Sequence, residues 1–305
     1  MNRGRRGFAL VMTLWALTIL AVAGTAVVLA GRESFDVARN RYAAARAHWR
    51  AEGCANAARA EIDQLLISAP SQAVRTRRWR GLDTLVGSMN GVLRCGVELH
   101  AAGSEVDINN AADEVVLRAL ARIAGVERAQ ELFDALLDWR DTDDLARPTG
   151  AEREWYLANR RHAPRNAPFA SIAELGRVRG FEQLGGLDTT FSVESGRISL
   201  ATARPAVLAS VPGLTESAAA RIVEYRDAGH SIDELVALTA IVSPTDADSL
   251  MTRYADIAHA VVLEPDAWIV TARAIDGAPA IRESVELRLV RKADRAIVVR
   301  RRVGS

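Results

Sequence analysis

The residues of this chain best placed to do chemistry are carboxylates crowded into one stretch. They run Asp138-Trp139-Arg140-Asp141-Thr142-Asp143-Asp144 and then, past Pro148-Thr149-Gly150, Ala151-Glu152-Arg153-Glu154-Trp155-Tyr156. Alternating Asp residues in a loop, followed by a Glu beyond a glycine turn, can supply the hard oxygen ligands that calcium prefers. The spacing and the final Glu do not match an EF-hand. The competing reading is a solvated acidic loop whose aspartates cap helices. Two cysteines, Cys54 and Cys95, could pair in an oxidising compartment or sit apart as small buried hydrophobes. The histidines, His48, His100, His162, His230 and His259, are scattered. No His-x-x-x-His, Gly-x-Ser-x-Gly or Cys-x-x-Cys pattern accompanies them, so the chain is not expected to be an enzyme.

A second constellation is a repeat. Asp107-Ile108-Asn109-Asn110-Ala111-Ala112, then Val115 to Leu117 and Ile123-Ala124-Gly125-Val126, resembles Ile198-Ser199-Leu200-Ala201-Thr202-Ala203, then Val207, Leu208 and Val211-Pro212-Gly213-Leu214. Each half reads as strand end, helix, glycine turn, helix, which is the pattern of helix-hairpin-helix units. Such units can hold nucleic-acid backbone on helix N-terminal amides. Here Glu127, Glu131, Glu216 and Glu224 surround the turns, with Arg128 and Arg221 only balancing them. Phosphate binding wants surplus cations, so a packing scaffold is the favoured reading and no nucleic acid is expected.

The elements that carry these groups follow from patterning. The 305 residues hold 39 Lys plus Arg against 38 Asp plus Glu, a net charge of +1, so no global charge bias selects a partner. Phe8 to Ala30 is an uncharged apolar run, long enough as a helix to cross a hydrocarbon core of roughly 30 Å. Arg3, Arg5 and Arg6 before it place the N-terminus in the cytoplasm and the bulk beyond Arg32 outside. A secretory signal peptide would end in small residues and change composition, whereas the helical pattern here continues to Ser68. From Phe8 to Ser68 the helix would be about 90 Å long. Ala69-Pro70-Ser71 ends it. Val92 to Leu99, after the Asn90-Gly91 turn signal, reads as a strand. Trp268 to Ile275, Ile281 to Val290 and Ala296 to Val303 read as a C-terminal meander with turns at Asp276-Gly277 and Lys292-Ala293-Asp294.

Taken together, these residues resemble the minor pseudopilin K family of the type II secretion system. Arg6-Gly7-Phe8-Ala9-Leu10 opening a long helix resembles a prepilin-peptidase site. The acidic stretch through Tyr156, with Phe169 to Phe181 and its Ser171-Ile172-Ala173-Glu174-Leu175, and the two Asn/Ala-rich strand ends narrow the likeness to this family. The resemblance implies cleavage between Gly7 and Phe8 with N-methylation of Phe8. It also implies calcium in the acidic loop, carried to Asp141, Asp143, Asp144 and Glu152. Met12 stands where ordinary pilins have a Glu that meets the neighbouring subunit nearer the tip, and the resemblance makes it a marker of tip position.

The expected fold is α+β: a pilin-like long helix on a small antiparallel sheet, with a large helix-hairpin-helix or SAM-like helical domain inserted. The expected segments are a leader at 1–7, the transmembrane and pilin-type helix at 8–68, the first part of a β domain at 69–108, the helical insertion at 109–259, and the completing meander at 260–305. The resemblance further implies a single-pass inner-membrane protein with a periplasmic bulk. Its partners would be other minor pseudopilins, met through the N-terminal helix, and secreted substrates. Its function would be to help initiate the pseudopilus from its tip and so support secretion across the outer membrane. The alternative is a membrane-tethered nucleic-acid-binding protein using its hairpins.

Overall fold

The computed structural model describes residues 3–68, 75, 95–193 and 196–304, with side chains from residue 11 onward. The stop at Ala69-Pro70-Ser71 and the turn at Asn90-Gly91 lie outside the described residues. Proline-free sequence from the basic N-terminus onward forms one helix, α1 (Arg3–Ser68). Its apolar part contains Thr18 and Thr25, whose hydroxyls donate to carbonyls one turn back, at 3.0 Å to Leu14 and 2.9 Å to Ala21. That return bond keeps a polar side chain satisfied in an apolar segment. Residues 11–39 are exposed throughout, and α1 is the one helix among the described residues apolar and long enough to cross a membrane.

From Ala43 the helix acquires a buried stripe. Ala43, Ala47, Ala51, Cys54, Ala55, Ala58, Ile62 and Leu65 recur at three- and four-residue steps and face a sheet. The sheet is formed by β1 (Cys95–Ala101) and three C-terminal strands, spanning Ala267–Asp276, Ile281–Lys292 and Arg295–Gly304, which follow β1 in that order across the sheet, all antiparallel. Period-two alternation turns Trp268, Val270, Ala272 and Ala274, with Val285, Leu287 and Leu289, onto α1. The Cys54–Cys95 disulfide joins α1 to β1, with Cα atoms 6.6 Å apart. Arg46 and Arg50 pair with Asp276 at 2.9 and 2.7 Å, and Arg301 pairs with Glu52 at 2.7 Å.

The chain leaves this sheet after Ala101 and returns at Ala267, and between them builds a helical unit with its own core. In order it comprises β2 (Val106–Asp107), α2 (Asp113–Ala124), α3 (Val126–Arg140), α4 (Arg153–Ala158), a 3₁₀ turn over Ile172–Arg177, α5 (Leu187–Thr190), β3 (Phe191–Ser192), β4 (Ile198–Ser199), α6 (Pro205–Leu208), α7 (Glu216–Asp227), a 3₁₀ turn over Leu235–Ala237, α8 (Leu238–Ile241), α9 (Pro244–Thr252), α10 (Tyr254–Ala260) and β5 (Val261–Val262). The meander then follows as β6 (Ala267–Asp276), β7 (Ile281–Lys292) and β8 (Arg295–Gly304).

Two short parallel pairs, β2 with β3 and β4 with β5, tie off the halves of the helical unit. The first of these begins at Val106, three residues before the expected edge at 109, because Val106 pairs with Phe191 instead of extending the sheet. The glycine turns are real constraints. Gly125 and Gly213 have φ of 86° and 88°, and a Cβ on Gly213 would lie 2.7 Å from the Arg253 Cβ. Ala129 and Ala218 are buried behind these turns. The halves are alike in order and unequal in size: α2 has 12 residues where α6 has 4.

Candidate metal centre

Residues Asp134 and Asp138 stand one turn apart on α3 and point the same way, into the connection that leads to α4. Both are buried. Asp134 is satisfied by Thr149, at 2.6 Å from its hydroxyl, and by Gln130 at 2.7 Å. Burial pulls its pKa upward, and these hydrogen bonds outweigh that pull and leave it below the usual carboxylate range. Asp138 receives the Arg147 backbone amide at 3.1 Å and the Arg147 guanidinium at 2.6 Å. The same guanidinium nitrogen reaches Asp141 at 2.6 Å. Gly150 passes so near that a Cβ would fall 1.9 Å from the Asp138 carboxylate, so the turn tolerates no side chain there.

Glu152, at the N-terminal boundary of α4, completes the group. Asp138, Asp141 and Glu152 each offer an oxygen within 4.8 Å of the others. Glu152 is 4% exposed, yet neither of its oxygens has a hydrogen-bond partner of good geometry. Burial first, then the charges of Asp138, Asp141 and Asp144, push its pKa up to about 7, with the Arg153 amide opposing this. The Asp141 Oδ1 is likewise buried without a partner.

Three carboxylates against one guanidinium leave two negative charges, the count that one divalent cation neutralises. An unpaired buried carboxylate is costly, and a hard cation is the group whose chemistry suits a set made only of oxygens. The residues present therefore fit calcium. Behind them the site is rigid. Trp139 meets Tyr156 edge-on at 5.2 Å, the Tyr156 hydroxyl accepts from the Arg179 amide at 3.0 Å, and Trp139 Nε1 donates to Glu174 at 3.1 Å. That last contact explains the Ser171–Leu175 stretch: its Glu174 anchors the 3₁₀ turn onto α3, and Leu175 is buried.

The structure brings together Asp141 and Glu152 from the expected ligand set, and adds Asp138. Spacing alone hid Asp138, because it lies on a helix one turn before the loop; its i+4 relation to Asp134 on a buried helix face was the available signal. Asp143 and Asp144 are exposed and point elsewhere: Asp143 accepts the Leu145 amide at 2.9 Å, and Asp144 accepts from Asn166 at 3.2 Å. Among the described residues no histidine joins a metal-type cluster. Met12 is 58% exposed on the apolar part of α1, and Gly7 and Phe8 lie in the same helix.

The segment holding this site is the one that a family comparison recognises. Residues 96–184 match the family model described as type II secretion system (T2SS), protein K. A relative described as type II secretion system protein K, from Klebsiella pneumoniae, is 25% identical over 195 residues. That match spans 60% of this chain and 60% of the relative's length. Among solved structures, a chain of the GspK-GspI-GspJ complex from the enterotoxigenic Escherichia coli type 2 secretion system is similar, with a TM-score of 0.53 and 16% identity. It covers 69% of this chain and 80% of that one, so the two chains share a fold.

Proposed function

We propose that this chain is a minor pseudopilin that anchors in the inner membrane through α1, works at the tip of the type II secretion pseudopilus, and helps start its assembly. The observation that carries this reading is the division of α1. Its second half is bound to the sheet and disulfide-linked to β1, while residues 11–39 stand clear of the chain's own domain, unsupported by it and apolar through Ala30. Such a segment needs lipid or other helices around it. A solved relative assembled with two further chains, GspI and GspJ, supports other minor pseudopilins as the partners. A large helical unit on the sheet is hard to accommodate inside a thin filament and free at its end. Met12 in place of a buried carboxylate suits a subunit with no neighbour above it.

In the same reading the centre at Asp138, Asp141 and Glu152 holds calcium as a structural ion that fixes the α3–α4 connection. The chain's work is then done by surfaces, with no catalytic group. The hairpin geometry speaks against the nucleic-acid alternative. At the second hairpin the Asp246 carboxylate already occupies the N-terminal turn of α7, 2.5 Å from the Thr215 hydroxyl and 2.9 Å from Ser217, where a phosphate would have to sit.

Co-purification of the full chain in detergent with candidate minor pseudopilins tests the assembly reading. Recovery of a stoichiometric complex is expected, and failure with every candidate sinks it. N-terminal sequencing of protein from cells with an active prepilin peptidase is expected to find methyl-phenylalanine from Phe8; an intact Met1 overturns the processing step.

A further inference from the structure

One cavity in the helical unit has the opposite character to the acidic centre. Residues 153–182 hold six arginines and three glutamates, in a chain whose net charge is only +1. Arg165 and Arg179 are balanced within the unit, by Glu174 and Glu131, each at 3.4 Å. Arg160, Arg161, His162 and Arg177, with Gly176 and Glu182, line a cavity of about 280 Å³. Arg161 pairs with Glu182, whereas Arg160, His162 and Arg177 make no ion pair among the described residues.

The group is held in place although its charges repel one another. The Arg161 guanidinium lies 5.5 Å from the centre of the Trp155 ring, and the Arg161 amide donates to the Tyr156 carbonyl at 2.8 Å. Tyr156 is the ring that backs the acidic centre, so Arg161 rests on the same rigid support. Arg160 has φ of 56°, a left-handed conformation that is unfavourable for any residue with a side chain. Gly176 leaves the cavity open: a Cβ there would meet no atom within 4 Å.

Charge and shape select the ligand. Three guanidiniums against one carboxylate leave two positive charges, the count that one phosphate monoester neutralises near pH 7. Its oxygens can accept from several guanidinium forks at once, in charge-assisted bonds. A single carboxylate would leave a charge over, and Glu182 already supplies one to Arg161. We propose that the cavity bordered by Arg160, Arg161, His162 and Arg177 binds a phosphate monoester. The helical unit hangs from the end of the sheet where the Ala296 amide donates to Asp63 of α1 at 2.6 Å, while Arg46 and Arg50 pair at the other end. Asp63 is about 50 Å along the helix from Ala30, where the apolar run ends. The phosphate therefore belongs to a soluble molecule or to the headgroups of a facing membrane, not to a bilayer that α1 itself crosses. The site does not depend on the assembly reading above.

Calorimetric titration of the full chain in detergent with glycerol 3-phosphate, and with dimethyl phosphate as the singly charged diester, tests the site. The monoester is expected to bind about tenfold or more tightly than the diester. Arg160→Gln with Arg177→Gln alters two exposed residues and is expected to weaken the monoester by about tenfold or more at an unchanged melting midpoint. Gly176→Glu supplies the cavity with an anion of its own; it is expected to abolish binding and to raise the midpoint, a gain that misfolding cannot mimic. Equal binding of monoester and diester, binding of neither, or monoester affinity unchanged in the Arg160 and Arg177 variant overturns the proposal. The source is read from the full chain in phosphatidylcholine nanodiscs, floated with phosphatidylcholine vesicles that contain phosphatidate or phosphatidylglycerol. Flotation with phosphatidate alone, reversed by glycerol 3-phosphate, supports the site and assigns it to a membrane headgroup. Glycerol 3-phosphate binding without flotation supports it and assigns it to a soluble monoester. Flotation with both lipids alike, insensitive to glycerol 3-phosphate, shows diffuse attraction to anionic surfaces and counts against the cavity.

Discussion

Two buried carboxylates in the helical unit occupy comparable places and live in opposite circumstances. Glu152 opens α4 after the first hairpin, and Asp246 sits in the first turn of α9 after the second. Their exposures are 4% and 6%. Asp246 collects hydroxyls from Thr215, Ser243 and Ser217 at 2.5, 2.7 and 2.9 Å, and those hydrogen bonds hold its pKa below the usual value. Glu152 collects none and is pushed up to about 7. Burial alone therefore does not tell a satisfied carboxylate from one left open to a ligand. The separating feature is whether the chain itself supplies the partners.

The largest expected effect follows from that contrast. With calcium at about 100 times its dissociation constant, linkage contributes about 2.7 kcal/mol. In a folded unit of this size that is a rise of about 5–10 °C in melting midpoint. Melts of the full chain in detergent, with calcium and with chelator, measure it. Glu152→Gln is expected to abolish the calcium shift and, by removing an unpaired buried charge, to raise the midpoint of the chelated protein. Equal midpoints with and without calcium in wild type would dissolve the contrast.

Asp246→Ala should act the other way, costing about 2 kcal/mol with or without calcium, because it strands three hydroxyls that the folded chain has organised. Its pH dependence has a definite sign. A carboxylate whose folded pKa lies below its ordinary value of 3.8 contributes stability that is complete above that value and is lost as pH falls through the folded one. The advantage of wild type over Asp246→Asn should therefore be constant near neutrality and shrink below about pH 4. An advantage that instead grew on acidification would mean the hydroxyls favour the protonated form.

The helix-on-sheet frame was legible because its signals are local and periodic. An apolar run, a helical pattern that continues past it and three strands set off by turn residues each announce themselves within one element, and the meander strands end within two residues of their expected limits. The acidic site was legible only in part, since ligation is decided by where side chains converge. Asp143 and Asp144 look right by spacing, but the chain turns them outward to bind the Leu145 amide and the Asn166 side chain. Asp138 looks like an ordinary helical residue until Gly150 lets the loop fold back over it. The strand end at Asp107 was legible, but its parallel pairing with β3 was not, for the same reason: two-residue strands have no period to detect, and their partners lie far apart in sequence.

The smallest expected effect is the sharpest test of which acids matter. Asp143→Ala and Asp144→Ala alter exposed residues, and each should change stability by no more than about 0.5 kcal/mol. Each should also leave the calcium shift in place. Asp144 lies near enough for its charge to help raise Glu152, so its loss should weaken calcium binding modestly through field alone, an effect that added salt screens. If either variant abolished the shift outright at moderate salt, the loop would have to close on the ion in a way that draws the outer aspartates inward. The ligand set would then be the one that the family resemblance implies, and the pairing of Asp138 with Arg147 would be a feature of the metal-free chain only.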